Sequence, residues 1–178
     1  MKALLIIDMQ RGSFKSTKRF HSKKVIKNIN KLSITFRKTN DKVVFVQHDG
    51  SKENNFIPGT EDWGILPQLI QDKADKYISK IANDSFYNSE LDDYLKKQKI
   101  TEIYITGCAT DYCVNATVHS ALVKDYNIII VSDGHTTVNR PMIKAKKLIK
   151  FHNWLWQNLT TTGGRISLKN TKEILELN

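Results

Sequence analysis

Three side chains, Cys113, Asp8 and Lys80, stand where their chemistry could be used. Cys113 follows an apolar run, Ile103 to Ile105, and a glycine, Gly107. From Asp111 onward Val114, Ala116, Val118, Ala121 and Leu122 recur at helical spacing. The pattern predicts a buried strand, a tight turn, and a helix whose first turn carries the cysteine. The N–H groups of a first helical turn lack partners within the helix and carry partial positive charge. A thiol there is biased toward thiolate, the nucleophilic form. The same amides can hold a developing oxyanion. Asp8 ends the apolar run ALLII, and Lys80 ends YIS. A carboxylate there can accept a proton, and an ammonium can hold a negative charge in place. Each type also has a plain structural use: a buried filler for Cys113, a turn cap for Asp8, a surface charge for Lys80.

The surrounding chain must supply the elements that position them. Residues 2–7 are apolar almost throughout, as in a central parallel strand. Residues 22–38 predict a helix, with Ser22 as N-cap and Val25, Ile26, Ile29, Leu32 and Phe36 as its apolar stripe. Residues 42–47 read as a second strand, and residues 49–64 as a long loop of the kind that often carries function. A short helical piece is expected over 65–70, a strand over 76–80 and a helix over 90–98. The cysteine turn lies between a strand at 102–106 and a helix at 111–124. A strand at 128–131, a helix at 139–156, an edge strand at 166–168 and a last helix at 171–177 complete the chain. Strands alternating with helices predict one α/β domain over 1–178: three layers, a mainly parallel open sheet, helices on both faces, Rossmann-like. Sites in such sheets form at the carboxyl edge, where Asp8 and Lys80 fall. No Gly-x-Gly-x-x-Gly follows a strand, so dinucleotide binding is not supported.

Composition narrows the function classes. The 178 residues suit one domain, and 40% hydrophobic with 26% charged residues is ordinary for a globular protein. No apolar run is long enough to span a membrane, and MKALLIID reads as a strand rather than a signal peptide, so a cytoplasmic location is expected. The net charge of +10 raises nucleic acid as a partner. The basic residues are mostly dispersed lysines, and only Arg11, Arg19, Arg37, Arg140 and Arg165 are arginine, so a solvated basic surface is the better reading. Cys108 and Cys113, five apart on one turn, fit neither a zinc pattern nor a disulfide framework.

The run G-C-A-T-D-Y-C-V at 107–114 resembles the nucleophile turn of the isochorismatase-like cysteine hydrolases, which include nicotinamidases, N-carbamoylsarcosine amidases and ureidoacrylate amidohydrolases. Asp8 in ALLIIDMQ and Lys80 in YISKIANDSF match two further landmarks in the right order, and the resemblance runs from about residue 3 to 138. It implies a nucleophile at Cys113, a base and then acid at Asp8, a charge stabiliser at Lys80, and an oxyanion hole from the N–H groups of Ala109 and Cys113. It further implies a thioester on Cys113, a cis peptide between Cys108 and Ala109, and a homo-oligomer, dimer or larger.

Phe14, Trp63 and Tyr112 are candidates for the wall of a pocket holding a small planar amide, with core packing or a subunit contact as their other uses. The nicotinamidase branch carries a metal site of Asp-x-His plus a later His. This chain has His48-Asp49-Gly50 instead and no further His until His119, so neither a metal nor another cofactor is expected. Retention of the cysteine favours acyl chemistry on a C–N bond over the vinyl-ether cleavage of true isochorismatases. Two other classes stay open: a redox-reactive pair of Cys108 and Cys113, and a basic interaction module.

Overall fold

The computed structural model describes residues 1–176. Leu177, the end of the expected last helix, and Asn178 lie outside the described residues. Six strands form one sheet: β1 (Lys2–Ile7), β2 (Lys42–His48), β3 (Lys76–Lys80), β4 (Glu102–Cys108), β5 (Asn127–Thr136) and β6 (Ile166–Lys169). Their order is β3-β2-β1-β4-β5-β6, and every pairing is parallel. Strand order reverses between β2 and β4 on either side of β1. Crevices of open α/β sheets open at such a reversal, outside the carboxyl ends of the strands.

The period of two in β1 divides the core. Ala3, Leu5 and Ile7 pack with residues of α3 (Leu91–Lys97), α4 (Asn115–Val123) and Trp156 of α5 (Ala145–Gln157). Leu4 and Ile6 face α2 (Ser22–Lys38) and Ile174 of α6 (Thr171–Glu176). A short α1 (Gly12–Lys15) follows β1. The expected three layers are present. Among the described residues, no helix is long and apolar enough to cross a membrane.

Several local expectations are corrected. Ser22 is the first residue of α2 rather than its cap; the His21 carbonyl accepts from the N–H groups of Lys24 and Val25 at 2.9 and 3.1 Å. Residues 65–70 form no helix. Ile65 bridges Gln10 and the Leu66 N–H donates to the Met9 carbonyl at 2.9 Å, so these amides are spent on the chain leaving β1. β5 runs past Gly134 to Thr136, because the β4 register shifts between Ile105 and Gly107 and then pairs Gly107 with His135. α5 begins at Ala145, not 139: Asn139 Oδ1 accepts from the Ala145 N–H, and Met142 is 97% exposed. The helix expected from 111 opens as a wide turn, Thr110–Val114, in which the Ala109 carbonyl accepts from the N–H groups of Tyr112 and Val114 at 3.0 and 3.2 Å. Such wide turns recur at functional sites.

Candidate active site

Three strand ends converge. Asp8 follows β1 with a left-handed backbone, φ 49°, and its N–H donates to the Val46 carbonyl at 2.9 Å. Lys80 is the last residue of β3. Gly107 in β4 has φ 117°, and a Cβ there would lie 2.1 Å from the Ile7 carbonyl oxygen, so only glycine lets β4 approach β1 this closely. The peptide between Cys108 and Ala109 is cis, as expected. The chain then enters the wide turn that carries Cys113.

Lys80 Nζ ties the group together. It lies 2.9 Å from Asp8 Oδ2, 3.4 Å from Cys113 Sγ and 2.8 Å from the Ala82 carbonyl. The Lys80 side chain is 0% exposed and that of Asp8 8%. A lone buried ammonium is costly; here three acceptors surround it. Burial pulls the Lys80 pKa down, but Asp8 and Cys113 together outweigh burial and the net shift is upward. Asp8 Oδ1 is buried and makes no hydrogen bond among the described residues.

The Cys113 thiol departs from expectation. Burial and then the Asp8 carboxylate push its pKa well up, and Lys80 only partly opposes them. Its Sγ lies within hydrogen-bond distance of Asn83 Oδ1, at 3.4 Å, so burial beside a carboxylate works against the bias of the helix-end position here. Cys108 is buried, donates to the Asp8 carbonyl at 3.0 Å, and is pushed up to about 11 by burial, with Arg19 opposing. An inert, hydrogen-bonded thiol of this kind does not favour a redox pair.

A cavity of about 200 Å³ opens onto these groups, and Asp8, Cys108, Ala109, Tyr112, Cys113 and Asn83 line part of it. Gln10 braces the wall: its Nε2 donates to the carbonyls of His48 and Trp63, both at 3.0 Å, and its Oε1 accepts from the His48 N–H at 2.8 Å. Of the three aromatic candidates only Tyr112 lines the cavity, with the Arg140 guanidinium 4.5 Å from its ring centroid. Phe14 packs against the core under Arg19, and Trp63 offers its backbone carbonyl to Gln10 and Gln47. Phe56, from the long loop, supplies the aromatic wall instead. Arg19 ends the polar loop, Arg11 to Arg19, that could be read as lining a pocket mouth, whereas Asn83, Phe56 and Arg140 were missed as site residues. The signals in the sequence were the position of Asn83, three residues beyond Lys80, and the length of the 49–64 loop that carries Phe56.

Behind the turn, His135 bonds Thr110 Oγ1 through Nδ1 and Asn153 Oδ1 through Nε2, each at 2.9 Å. Asn153 Oδ1 can only accept, so Nε2 carries the proton and Thr110 donates to Nδ1. Burial lowers the His135 pKa to about 4, keeping it neutral. Beside the turn, Asp111 binds Arg140 Nε at 2.7 Å and Thr137 Oγ1 at 2.5 Å. Burial alone would raise the Asp111 carboxyl, but these bonds hold it low. His48 is shifted down by burial and then by Lys80. Among the described residues no group of three His, Cys, Asp or Glu side chains is placed to hold a metal ion.

An acid, a lysine and a thiol thus meet at the ends of β1 and β3 and just beyond β4, on a three-layer α/β fold with a parallel sheet. The isochorismatase domain family matches residues 2–161, and the chain belongs to that family of hydrolases. It is 32% identical over 139 residues to the uncharacterized isochorismatase family protein YddQ of Bacillus subtilis (strain 168), covering 76% of this chain and 77% of that one. A 66-residue stretch, 37% of this chain and 31% of the other, is 38% identical to the nicotinamidase of Escherichia coli (strain K12). The fold matches the crystal structure of a cysteine hydrolase from Pseudomonas syringae pv. phaseolicola 1448A with a TM-score of 0.86 at 19% identity, over 98% of this chain and 91% of that one.

Proposed function

We propose that the chain is a single-domain, cysteine-dependent amidohydrolase acting on a small amide or related C–N bond. The observation that carries this reading is the Asp8 carboxylate, with one oxygen on the Lys80 ammonium at 2.9 Å and the other buried and unpartnered beside a thiol. A thiol pushed up in pKa needs a base at the moment of attack. Asp8 Oδ1 takes the Cys113 proton as Sγ attacks the carbonyl carbon. The N–H groups of Ala109 and Cys113 hold the oxyanion. Asp8 returns the proton to the leaving nitrogen, the C–N bond breaks, and a thioester remains on Cys113. Water activated by Asp8 then releases the acid and restores the thiol. Lys80 keeps Asp8 in place and offsets the charge that develops on sulfur. Tyr112, in the cavity wall, can cover a planar group. Vinyl-ether cleavage needs no thiol nucleophile, so the placement of Cys113 favours the amide.

The reading includes a cytoplasmic location, supported by the two free thiols. It also includes a homo-oligomer, supported by exposed Phe151 and Trp154 on α5.

Ammonia release from a panel of small amides and ureido compounds, run beside Cys113→Ala, tests it. Release that vanishes in the folded variant is expected. Equal release from both proteins removes Cys113 as nucleophile, and no release from any compound removes the amidase reading.

A further inference from the structure

The nucleophile turn is braced from β5 and the chain beyond it. Thr110 bonds His135, Asp111 bonds Thr137 and Arg140, and Asn115 Oδ1 accepts from Trp156 Nε1 at 2.9 Å. Val114 is fully buried in the core. Tyr112 is the exception. It is 50% exposed and packs into neither face of the core, and Arg140 is the one cationic or aromatic partner of its ring among the described residues. Core packing therefore does not decide where this ring points. An exposed tyrosine without a fixed partner moves between rotamers on a picosecond to nanosecond timescale.

Arg140 is itself held. Its Nε donates to Asp111 Oδ2 at 2.7 Å. Its backbone N–H donates to the Ile143 carbonyl at 2.9 Å, and its carbonyl accepts from the Ile143 N–H at 3.2 Å. The guanidinium carbon lies 4.5 Å from the Tyr112 ring centroid, within reach of a cation–π contact. Asp111 and Tyr112 are adjacent, so one guanidinium grips two consecutive residues of the turn immediately before Cys113. Tyr112 and Arg140 both line the cavity. The ion pair alone would hold the turn; the seat over the ring does something more, because it fixes an aromatic that nothing else fixes. A planar guanidinium can do both at once, whereas a lysine ammonium has no face to lay on a ring.

We propose that Arg140 is a positioning residue that acts through Tyr112: anchored by Asp111, it holds the ring as a standing wall of the cavity, against which a flat part of the ligand lies beside Cys113. The proposal rests on the amidohydrolase reading above and adds a residue to that site. A wall set before the ligand arrives removes an ordering cost from binding.

The test uses the Cys113 thiol as its reporter and needs no turnover. Alkylation by iodoacetanilide is compared with alkylation by iodoacetamide, which has the same reacting carbon and no phenyl ring. Intact-mass spectrometry gives both rates, with Cys113→Ala as the blank for Cys108 and N-acetylcysteine as the free-thiol reference. The ratio of the two rates on the protein is expected to exceed that on the free thiol about fivefold. Tyr112→Ala and Arg140→Gln should each erase this preference, and the double variant should lose no more than Tyr112→Ala alone. Arg140→Lys keeps the charge beside Asp111 without the planar face and should give back only part of the preference; it carries the test if the Gln variant does not fold. Arg165→Gln, remote from the cavity, should keep it whole.

No alkylation of Cys113, a ratio equal to that of the free thiol, or a preference that survives in the folded Arg140 variants overturns the proposal. Equal slowing of both reagents by Arg140→Gln also overturns it, because the arginine would then only brace the turn. A further loss in the double variant does the same, since Arg140 would then act without Tyr112. Ammonia release separates this result from the reading beneath it. A ring preference with no release from any amide sinks the amidohydrolase and leaves the wall. Release without a ring preference sinks the wall and leaves the amidohydrolase.

Discussion

Asp8 and Asp92 each sit beside a lysine ammonium, 2.9 Å from Lys80 and 2.8 Å from Lys96. Around Asp92 both carboxylate oxygens are engaged. Its Oδ1 accepts from the Tyr126 hydroxyl at 2.9 Å, and its Oδ2 also meets Lys124 at 3.1 Å. Burial alone would raise this carboxyl, but the bonds from Lys96, Tyr126 and Lys124 hold it low. Asp8 is more deeply buried, has one lysine, and keeps one oxygen open toward the cavity. Both clusters contain a carboxylate and a lysine. What separates them is completeness: a satisfied carboxylate braces helix α3 against its neighbours, and an unsatisfied one retains a lone pair for chemistry. An ion pair by itself therefore says little about function; the atom it leaves over says more.

The sharpest way to break this contrast is Asp8→Asn. It keeps the shape, removes the proton acceptor and strands the Lys80 ammonium. Turnover is expected to fall about 10³-fold or more, and stability by about 3–5 kcal/mol, because a buried charge loses its partner. Denaturant titration beside the ammonia assay reads both. Near-normal turnover would end the role given to the open oxygen.

An intermediate effect comes from His135, which supports Thr110 behind the nucleophile turn. Its folded pKa of about 4 lies below the ordinary 6.5. The unfolded chain therefore takes up the proton first as pH falls. The stability it contributes is complete above about pH 6.5, is lost between about 6.5 and 4, and amounts to about 3 kcal/mol across that window. His135→Gln should flatten this part of the stability curve. An unchanged slope in the variant would place the acid sensitivity elsewhere.

Asp92→Asn should have the smallest effect. A loss of about 1 kcal/mol or less is expected, because its lysine partners are partly exposed. Turnover should be unchanged. The Asp92 carboxyl is held below its ordinary 3.8, so its contribution is present above that pH and fades below it. A fall in turnover matching that of Asp8→Asn would erase the distinction between the two clusters.

Much of the site was legible because its members end apolar strands. Asp8 after ALLII and Lys80 after YIS are polar residues at places where strands meet solvent, and parallel order brings those ends to one edge. Gly107 was legible as punctuation, but not as the close approach to Ile7 that requires it. The electrostatic surroundings of Cys113 were not legible. A helix end is visible in a sequence, whereas burial beside a carboxylate is not. Phe14 on the short α1 and Phe56 in the loop after β2 are both aromatics beyond strand ends, and nothing local says which one folds over the cavity. Arg19 ends a polar loop that could be read as lining a pocket mouth, but only the fold shows Ser13 and Phe14 fixing its guanidinium there.

The sequence by itself determined the alternation of strands and helices, the family, and the three side chains at the sheet edge. The alternation follows from apolar periodicity, which acts between residues near in sequence; the family and the three candidate side chains rest on the resemblance of the run at 107–114, with Asp8 and Lys80 in order, to the isochorismatase-like pattern. Tertiary structure decided which atoms were left without partners, which aromatic closed the cavity, and that burial and Asp8 push the Cys113 thiol up while Lys80 opposes them. Such outcomes depend on desolvation and on charges brought together from positions as far apart as Asp8, Lys80 and Cys113, and no local pattern encodes either.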